Sequence, residues 1–319
     1  MTQNLVRTLN LKSYTHGNAS ERAKFADEFA AGLKETGFIT LEGHGIDPNL
    51  IKNNYALFQE FFSLDEETKR KYVTVVSGQR GYTPFGKEHA KNRTVGDLKE
   101  FWHVGQELPV GHPLHGTDDY PANIWVEELP ELRKQALNLY YELERVARNM
   151  LEALALHFDL RLNFFTDMIH NGNHVLRAIH YPPLEEGMDP NAVRAAQHED
   201  INLITLLCEA TASGLELLTR EGEWYPVEAL KGQIVVDAGD MLQRVTNGVI
   251  PATTHRVVNP KGENTSRYSM PYFVHPYSAA LLETIPACVT EENPEKWEAI
   301  TAGDFLYERL VEIGLVKKK

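Results

Sequence analysis

The hydrophobic pattern of this chain changes its period near residue 171, and this change limits the folds that the sequence can adopt. Before that point, apolar residues recur every three or four positions over long stretches, which is the pattern of the buried face of a helix. We predict helices at residues 18–37, 48–62, 65–72 and about 129–158, a short strand at 38–41 and a loop at 77–86. The first half should therefore be mostly helical.

Beyond residue 171 the apolar residues form short runs separated by Gly, Pro and Asn, which is typical of strands joined by turns. We predict strands at residues 175–180, 201–207, 215–218, 233–237, 254–258 and 268–274, and a helix at about 294–317. Many short strands of this kind favour a β-sandwich or barrel over a parallel α/β sheet.

The expected fold is therefore mainly β with flanking helices, organised as one compact unit. We predict a helical N-terminal region at residues 1–170, a β core at 171–285 and a C-terminal helical tail at 286–319.

The charge balance argues against nucleic acid or an anionic membrane as the main partner. Lys and Arg number 32 against 45 Asp and Glu, so the net charge of −13 would repel phosphates. No stretch approaches the ~18 continuous apolar residues of a membrane helix, and no secretory signal is visible at the N-terminus. Two cysteines, Cys208 and Cys288, suggest a reducing compartment. We expect a cytoplasmic protein with a small-molecule partner; its oligomeric state is left open.

The residues His198-Glu199-Asp200 come directly before an apolar run. If they continue that strand, His198 and Asp200 lie on one face, because alternate residues of a strand point the same way. A second histidine on a distant strand would complete a set of two histidines and one carboxylate, and His255 is the best placed. Such a set leaves coordination positions open and suits non-haem Fe(II).

Twelve residues after His255, the pair Arg267 and Ser269 occupies alternate positions of another predicted strand. An Arg side chain offers a fork of donors that matches a carboxylate, and Ser adds a hydroxyl. A metal together with such a clamp fits a small dicarboxylate that binds the metal at one end and the Arg at the other.

From about residue 10 to 276, the chain resembles the isopenicillin N synthase-like branch of the Fe(II)- and 2-oxoglutarate-dependent oxygenases. The resemblance rests on motifs in the family's order: GFITL (37–41), HGI (44–46), GY (81–82), KEFWH (99–103), YPP (181–183), HEDINLITLL (198–207), GDMLQ (239–243), TNG (246–248), HRVVNP (255–260) and RYSMP (267–271). It implies a distorted double-stranded β-helix, or jelly roll, with flanking helices. It also implies an enzyme that uses Fe(II), 2-oxoglutarate and O2, releases succinate and CO2, and oxidises a C–H bond of a small molecule.

Carried over by position, the resemblance makes His198, Asp200 and His255 the iron ligands. It makes Arg267 and Ser269 the residues that hold the distal carboxylate of 2-oxoglutarate, with Tyr181 adding a hydroxyl. An Asn of the family pattern falls on Ile179 here, which cannot form a hydrogen bond through its side chain.

Four further residues are candidates for the substrate pocket: Arg177, Phe273, Phe101 and Tyr82. For Arg177 the alternative is a salt-bridged scaffold residue, and for Phe101 and Phe273 it is packing in the core. Tyr82 lies in a predicted loop that could cover the site. Hydroxylation is the expected outcome, with desaturation and ring formation left open. A same-fold iron oxidase that does not consume 2-oxoglutarate and a non-catalytic jelly-roll binding module are the other two hypotheses. The sequence does not reveal the primary substrate.

Overall fold

The computed structural model describes residues 5–74, 79–86, 97–185, 192–228, 231–260 and 262–312, and all structural statements refer to these residues. Parts of the predicted loop at 77–86 and of the predicted helix at 294–317 lie outside them.

The described chain forms helices of very different lengths. They are α1 (Lys12–Thr15), α2 (Ala19–Thr36), α3 (Pro48–Ser63), α4 (Glu66–Arg70), α5 (Glu131–His157), α6 (Phe164–Met168), α7 (Asp240–Val245) and α8 (Ala302–Glu312), with one 3-10 turn at Pro286–Cys288.

The strands are mostly short. They are β1 (Arg7–Asn10), β2 (Phe38–Glu42), β3 (Gly81–Thr83), β4 (Glu100–Gly105), β5 (Val175–Tyr181), β6 (Ala195–His198), β7 (Ile204–Cys208), β8 (Leu215–Leu218), β9 (Trp224–Pro226), β10 (Ile234–Ala238), β11 (His255–Val257), β12 (Arg267–Val274), β13 (Leu281–Leu282) and β14 (Ile300–Thr301).

Local signals explain the ends of α2. The side chain of Asn18 accepts hydrogen bonds from the backbone N–H groups of Ser20 and Glu21, and the Glu21 carboxylate accepts from the Asn18 backbone, which forms a capping box. Gly37 ends the helix in the left-handed region with φ of 74°. The predictions of α2, β2, α3 and α4 are confirmed within one or two residues.

The long helix α5 forms the centre of the helical layer and packs against α2 and α3. Its fully buried stripe contains Leu132, Ala136, Leu139, Leu143, Val146, Met150 and Leu154, the residues whose spacing predicted the helix. Burial of each large side chain in this stripe contributes about 1.5–3 kcal/mol of hydrophobic free energy. The stripe faces the outer side of a β-sheet, where the main hydrophobic core lies.

Two facing sheets form the β core of the described chain. The large sheet has the strand order β1-β2-β10-β7-β12-β5-β4-β3, and the small sheet has the order β6-β11-β8-β9. All the strand pairs in these two sheets are antiparallel except β1 with β2. A second apolar cluster fills the space between the sheets, and the expected β-sandwich is confirmed.

The structure also differs from the sequence predictions. Beside the predicted β2, the N-terminal half contributes three strands that the sequence did not predict: β1 pairs with β2 on one side of the large sheet, and β3 and β4 form its other side. The loop predicted at 77–86 contains β3, and the described part of the helix predicted at 294–317 is helical only in α8. The proposed boundaries at residues 170 and 285 stay predictions. None of the described helices has the length and apolar composition needed to cross a lipid bilayer.

Candidate functional site

The chain passes from the small sheet to the large sheet between His198 and Ile204. β6 ends at His198 in the small sheet, and β7 begins at Ile204 in the large one. Asp200 therefore lies in a crossover segment and not in a strand. The strand predicted at 201–207 is confirmed only from Ile204 onward, and the prediction that His198 and Asp200 share a strand face is wrong. The two side chains nevertheless meet, because the crossover bends the chain back over the end of β6.

The start of α7 holds this crossover in place. The backbone N–H of Asp240 donates to the carbonyl oxygen of Asp200 at 2.7 Å. The residue before α7 must be glycine, because a Cβ on Gly239 would lie 2.3 Å from the carbonyl oxygen of Asn202. The motif GDMLQ thus supports the crossover by direct backbone contact.

A β-bulge aims His198 toward His255. His255 pairs with His198 and Val257 pairs with Ala195, so two residues of β6 stand opposite Arg256 alone. The bulge leaves both His198 and Ala195 on the side of β6 that faces the same way as His255. The imidazole rings of His198 and His255 lie 4.5 Å apart between centroids.

Three potential ligand atoms meet at this point. The Oδ1 atom of Asp200 lies 3.8 Å from Nε2 of His198 and 3.8 Å from Nε2 of His255. One ligand atom from each of the three residues lies within 4.8 Å of the other two, and this is the one such group found in the described residues. Asp200 and His255 are buried, whereas the side chain of His198 is 40% exposed and forms the accessible side of the group.

The two histidines present their Nε2 atoms because their Nδ1 atoms have backbone partners. Nδ1 of His198 lies 2.7 Å from the carbonyl oxygen of Ala196, and Nδ1 of His255 lies 3.1 Å from that of Thr253. An Nδ1–H that donates to a carbonyl leaves a lone pair on Nε2. Partial loss of hydration, followed by the nearby charge of His255, lowers the pKa of His198 to about 4. His198 is therefore neutral at physiological pH, as a ligand must be.

Three other residues support this group and were not identified from the sequence. The Thr205 hydroxyl donates a hydrogen bond to Oδ2 of Asp200, and the Asn202 amide donates to Oγ1 of Thr205 at 2.9 Å. The ring of Phe38 packs edge-on against His255 with centroids 5.6 Å apart. Asn202 and Thr205 both lie in the HEDINLITLL motif close to Asp200, so their position in the sequence could have indicated that they support this carboxylate.

A buried carboxyl group lies behind Asp200. Asp237 on β10 pairs with Thr205 on β7, and its Oδ2 atom is buried without a hydrogen-bond partner in the described structure. Burial, together with the negative charge of Asp200, raises the pKa of Asp237 well above its usual value. Burial and the neighbouring carboxylate thus favour the uncharged form of Asp237.

The predicted clamp residues come together at the start of β12. Arg267 pairs with Tyr181 and Ser269 pairs with Ile179 on β5. The Arg267 guanidinium carbon lies 5.0 Å from the centre of the Tyr181 ring. Its Nε donates to the carbonyl oxygen of Ala212 at 3.0 Å, while Nη1 is buried and lacks a partner. Arg267 is 1% exposed and forms no ion pair in the described structure, so an anionic ligand would supply the missing acceptor.

A cavity of about 280 Å³ adjoins Arg267. Its wall includes Leu207, Leu215 and Val235 from the space between the sheets, together with Ala212 and Ser213. Pockets for drug-sized ligands have volumes of roughly 300–1,000 Å³, so this cavity suits a smaller molecule. A short dicarboxylate fits both its volume and its unpaired cation.

Three of the four substrate-pocket candidates form one cluster. The guanidinium carbon of Arg177 lies 4.4 Å from the ring centre of Phe101 and 5.2 Å from that of Phe273. His103, which no sequence pattern singles out, joins this cluster because Nε of Arg177 donates to its Nε2 at 2.6 Å. The alternation of β4 and β5 places these side chains on the same sheet face as Ile179.

Tyr82, the fourth candidate, lies elsewhere. Its ring is 2% exposed and packs in the main hydrophobic core, 5.5 Å from the ring of Phe61. Its hydroxyl donates to the carboxylate of Glu100. The structure thus places Tyr82 in packing on the outer side of the large sheet, apart from the Arg177 cluster.

The donor set fits a divalent transition metal, and the clamp fits a keto acid. Two imidazoles and one carboxylate on one side of a metal form the arrangement of non-haem Fe(II) oxygenases, which keeps further coordination positions for other ligands. The partnerless Nη1 of Arg267 is a charged donor to which a carboxylate could bind.

Two family models match the chain. Residues 6–128 match the model described as non-haem dioxygenase in morphine synthesis N-terminal. Residues 172–276 match the model described as 2OG-Fe(II) oxygenase superfamily.

Relatives and solved structures agree with these matches. The 2-oxoglutarate-Fe(II) type oxidoreductase ppzD of Metarhizium majus is 30% identical, covering 96% of this chain and 94% of that protein. A 2OG-Fe(II) oxygenase family protein from Caulobacter crescentus superimposes with a TM-score of 0.87 and 40% identity, covering 97% of this chain and 99% of that one. A full-length Neurospora crassa protein in complex with alpha-KG, which is 2-oxoglutarate, gives a TM-score of 0.84 and 27% identity, covering 96% and 95%. The same Neurospora crassa protein has also been solved with alpha-KG and thymine together.

Proposed function

Because this chain belongs to the isopenicillin N synthase-like family of Fe(II)- and 2-oxoglutarate-dependent oxygenases, we propose that it hydroxylates a C–H bond of a small organic molecule at the site formed by His198, Asp200 and His255. The observation that carries the proposal is the meeting of Asp200 Oδ1 with two Nε2 atoms at 3.8 Å each. Desaturation and ring formation are the alternative outcomes of the same chemistry.

The enzyme class, the cofactors and the jelly-roll fold expected from the sequence are confirmed by the family assignment. The chain is a 2-oxoglutarate-dependent oxygenase that uses Fe(II) and O2. This result disfavours the iron oxidase that does not consume 2-oxoglutarate and the non-catalytic binding module.

In the proposed site, His198, Asp200 and His255 hold the iron, and Arg267, Ser269 and Tyr181 hold the distal carboxylate of 2-oxoglutarate. The metal, when bound, supplies the activation of O2 and of the keto acid, which the side chains cannot provide. The protein contributes orientation: the backbone partners of both Nδ1 atoms fix the imidazole planes, and Thr205 fixes the carboxylate.

Apolar residues adjoin the proposed clamp. Ile179 lies in the apolar cluster between the sheets, directly beside Ser269. Because its side chain has no polar atom, Arg267, Ser269 and Tyr181 provide the polar contacts. A low local dielectric strengthens the attraction between Arg267 and a carboxylate.

We assign the substrate to the cluster of Arg177, Phe101, Phe273 and His103. Two aromatic rings and a guanidinium suit a molecule with a flat, unsaturated part and a hydrogen-bond acceptor. Thymine has both features and occupies a solved complex of the Neurospora crassa protein, so it is the first compound to test.

The test begins with anaerobic calorimetry of Fe(II) binding, followed by 2-oxoglutarate, on the wild type and on His198→Ala and Arg267→Ala. We expect His198→Ala to lose iron binding, and Arg267→Ala to keep iron but lose 2-oxoglutarate. The His-x-Asp sequence at His157 and Asp159 offers a matched control: His157→Ala should leave both ligands bound. The amounts of succinate and of oxidised product formed during aerobic incubation with thymine are then measured.

The result that contradicts the site assignment is iron binding by His198→Ala with wild-type affinity. If no compound of this class stimulates succinate release, the substrate assignment is contradicted, whereas the assignment of the metal site stands. Phe273→Leu separates these cases, because we expect it to weaken the effect of thymine and leave 2-oxoglutarate binding unchanged.

A further inference from the structure

A network of hydrogen-bonded side chains around His180 (the His180 network) crosses the outer face of the large sheet and has no role in the proposed chemistry. Nδ1 of His180 lies 2.7 Å from Oε1 of Glu100, and Nε2 of His180 lies 3.1 Å from Oγ of Ser266. Oε2 of Glu100 accepts from Nζ of Lys69 at 2.8 Å and from the hydroxyl of Tyr82. The His180 network links α4, β3, β4 and β5 to the residue that precedes β12.

Glu100, Lys69 and Tyr82 are buried, and aromatic rings pack around the partly buried His180. Its ring stacks on Tyr268 with centroids 4.6 Å apart and planes inclined by 8°, and the ring of Phe62 lies 5.5 Å away. Burial by itself would raise the pKa of Glu100, but hydrogen bonds from His180, Lys69 and Tyr82 outweigh it and hold the pKa below its usual value. Glu100 is therefore a charged anchor for the imidazole.

The His180 network lies on the sheet face opposite the proposed co-substrate clamp of Arg267 and Tyr181. His180 immediately precedes Tyr181 on β5, and Ser266 immediately precedes Arg267, the first residue of β12. Because alternate residues of a strand point to opposite faces, the sheet carries Arg267 and Tyr181 on the inner face and His180 on the outer one. The strand pairs Arg267 with Tyr181 and Tyr268 with His180 are adjacent rungs of the same ladder.

Arg267 is the first residue of β12 and follows an exposed segment that side chains fasten. Nη2 of Arg194 donates to the carbonyl oxygen of Thr265, and the side chain of Asn264 bonds the backbone of Leu184. The residues just before Ser266, at 262–265, are exposed, so β12 begins at the end of an exposed segment. The first residue of a strand lacks support on one side and opens more readily than its interior. The contact from His180 to Ser266 also fastens the backbone one residue before Arg267 to the neighbouring strand.

We infer that His180, fixed by Glu100 and bonded to Ser266, is a positioning residue that holds Arg267 ready for the distal carboxylate of 2-oxoglutarate. The inference rests on the proposed function of Arg267 as the clamp. A guanidinium held in place before binding loses less conformational freedom when the ligand arrives, which increases affinity. The contribution is to co-substrate affinity and does not involve the metal ligands.

The experiment measures dissociation constants for 2-oxoglutarate by anaerobic calorimetry on the Fe(II)-loaded protein. Ser266→Ala removes a partly exposed hydroxyl with little risk to folding, and His180→Gln removes the imidazole. We expect each to weaken 2-oxoglutarate binding by about five- to tenfold, as for the loss of one hydrogen bond, and to leave the Fe(II) dissociation constant within about twofold. Ser266→Thr keeps the hydroxyl and should restore binding. In turnover, the KM for 2-oxoglutarate should rise while kcat at saturation stays close to the wild type.

Matched controls come from similar contacts elsewhere. His157→Gln removes an imidazole whose Nδ1 lies 2.7 Å from Oδ1 of Asp27, and Ser63→Ala removes a helix hydroxyl bonded to the carbonyl oxygen of Glu60. Neither should change 2-oxoglutarate affinity. Unchanged affinity in folded Ser266→Ala and His180→Gln would overturn the inference, as would an equal loss of iron and 2-oxoglutarate. Absence of 2-oxoglutarate binding by the wild type would contradict the proposed function instead.

Discussion

The hydroxyl of Thr205 donates a hydrogen bond to one carboxylate oxygen of Asp200, and the other oxygen faces the two histidines. Asp200 lies in the crossover between the sheets, whereas Thr205 lies on a strand of the large sheet. A residue of the β core thus sets the orientation of a carboxylate that the crossover alone would leave free to rotate.

Thr205→Val keeps the shape of the side chain and removes the hydroxyl. We expect it to weaken Fe(II) binding by about 10–100-fold, the usual effect of removing a hydrogen-bond partner of a metal ligand. Anaerobic Fe(II) titration measures this change. Thr205→Ser retains the hydroxyl and should bind Fe(II) nearly as well as the wild type. Equal affinities for the Val and Ser variants would show that the hydroxyl has no such role.

Gly37→Ala tests the support of His255 from the end of α2. Gly37 has φ of 74°, and a Cβ there would overlap the side chain of Thr253, with Cβ of Thr253 only 2.6 Å away. The carbonyl oxygen of Thr253 is the partner of His255 Nδ1, so displacement of Thr253 moves His255. We expect a loss of about 1–3 kcal/mol in unfolding free energy, together with weaker Fe(II) binding. Gly222→Ala is the control, because Gly222 also has positive φ but no atom lies within 4 Å of its Cβ position.

Arg267→Lys tests the geometry of the clamp and not only its charge. Lysine keeps the positive charge but lacks the planar fork that can bind both oxygens of a carboxylate. We expect 2-oxoglutarate to bind at least about tenfold more weakly, with Fe(II) affinity unchanged. Calorimetry with succinate as a competing ligand measures the distal-carboxylate contact separately. Wild-type affinity in Arg267→Lys would mean that charge alone is sufficient.

Glu100→Gln tests the pH dependence of stability. The pKa of Glu100 in the folded protein is below its usual value of 4.5, so the ionised side chain stabilises the fold at neutral pH. That stabilisation is present above the unfolded pKa and is lost as pH falls through the folded pKa. We expect Glu100→Gln to lower the unfolding free energy by about 1.5–3 kcal/mol near pH 7, and the difference from the wild type to shrink below about pH 4.5. Denaturant unfolding at pH 7 and pH 3.5 measures both values, and a difference that is independent of pH would contradict this account.

Sequence periodicity predicted the elements whose pattern is local. The helix at 131–157 has a complete apolar stripe, and the helix at 19–36 has a cap at each end, so both were found within two residues. The strand at 267–274 is regular, and its alternation correctly placed Arg267 and Ser269 on one face, where both are buried. The two histidines and the aspartate were also correctly predicted to meet.

Other features depend on contacts that a single sequence does not display. The strand at 100–105 is buried at every position, so it shows no alternation to detect. The bend between His198 and Ile204 is imposed by Gly239 and the helix that follows it, some 40 residues later in the chain. The contact of His180 with Ser266 likewise joins two residues that are 86 positions apart in the sequence, so no local pattern reveals it.

The position of the three ligands at the crossover between the sheets has a mechanical consequence. Both histidines belong to the small sheet, while Asp200 is tied through Thr205 to the large one. An ion held by all three therefore acts as a cross-link between the two halves of the barrel. Metal binding therefore stabilises the folded state of the barrel, and the melting temperature should rise with the concentration of Fe(II). The site that binds the metal thus also stabilises the fold by joining its two sheets.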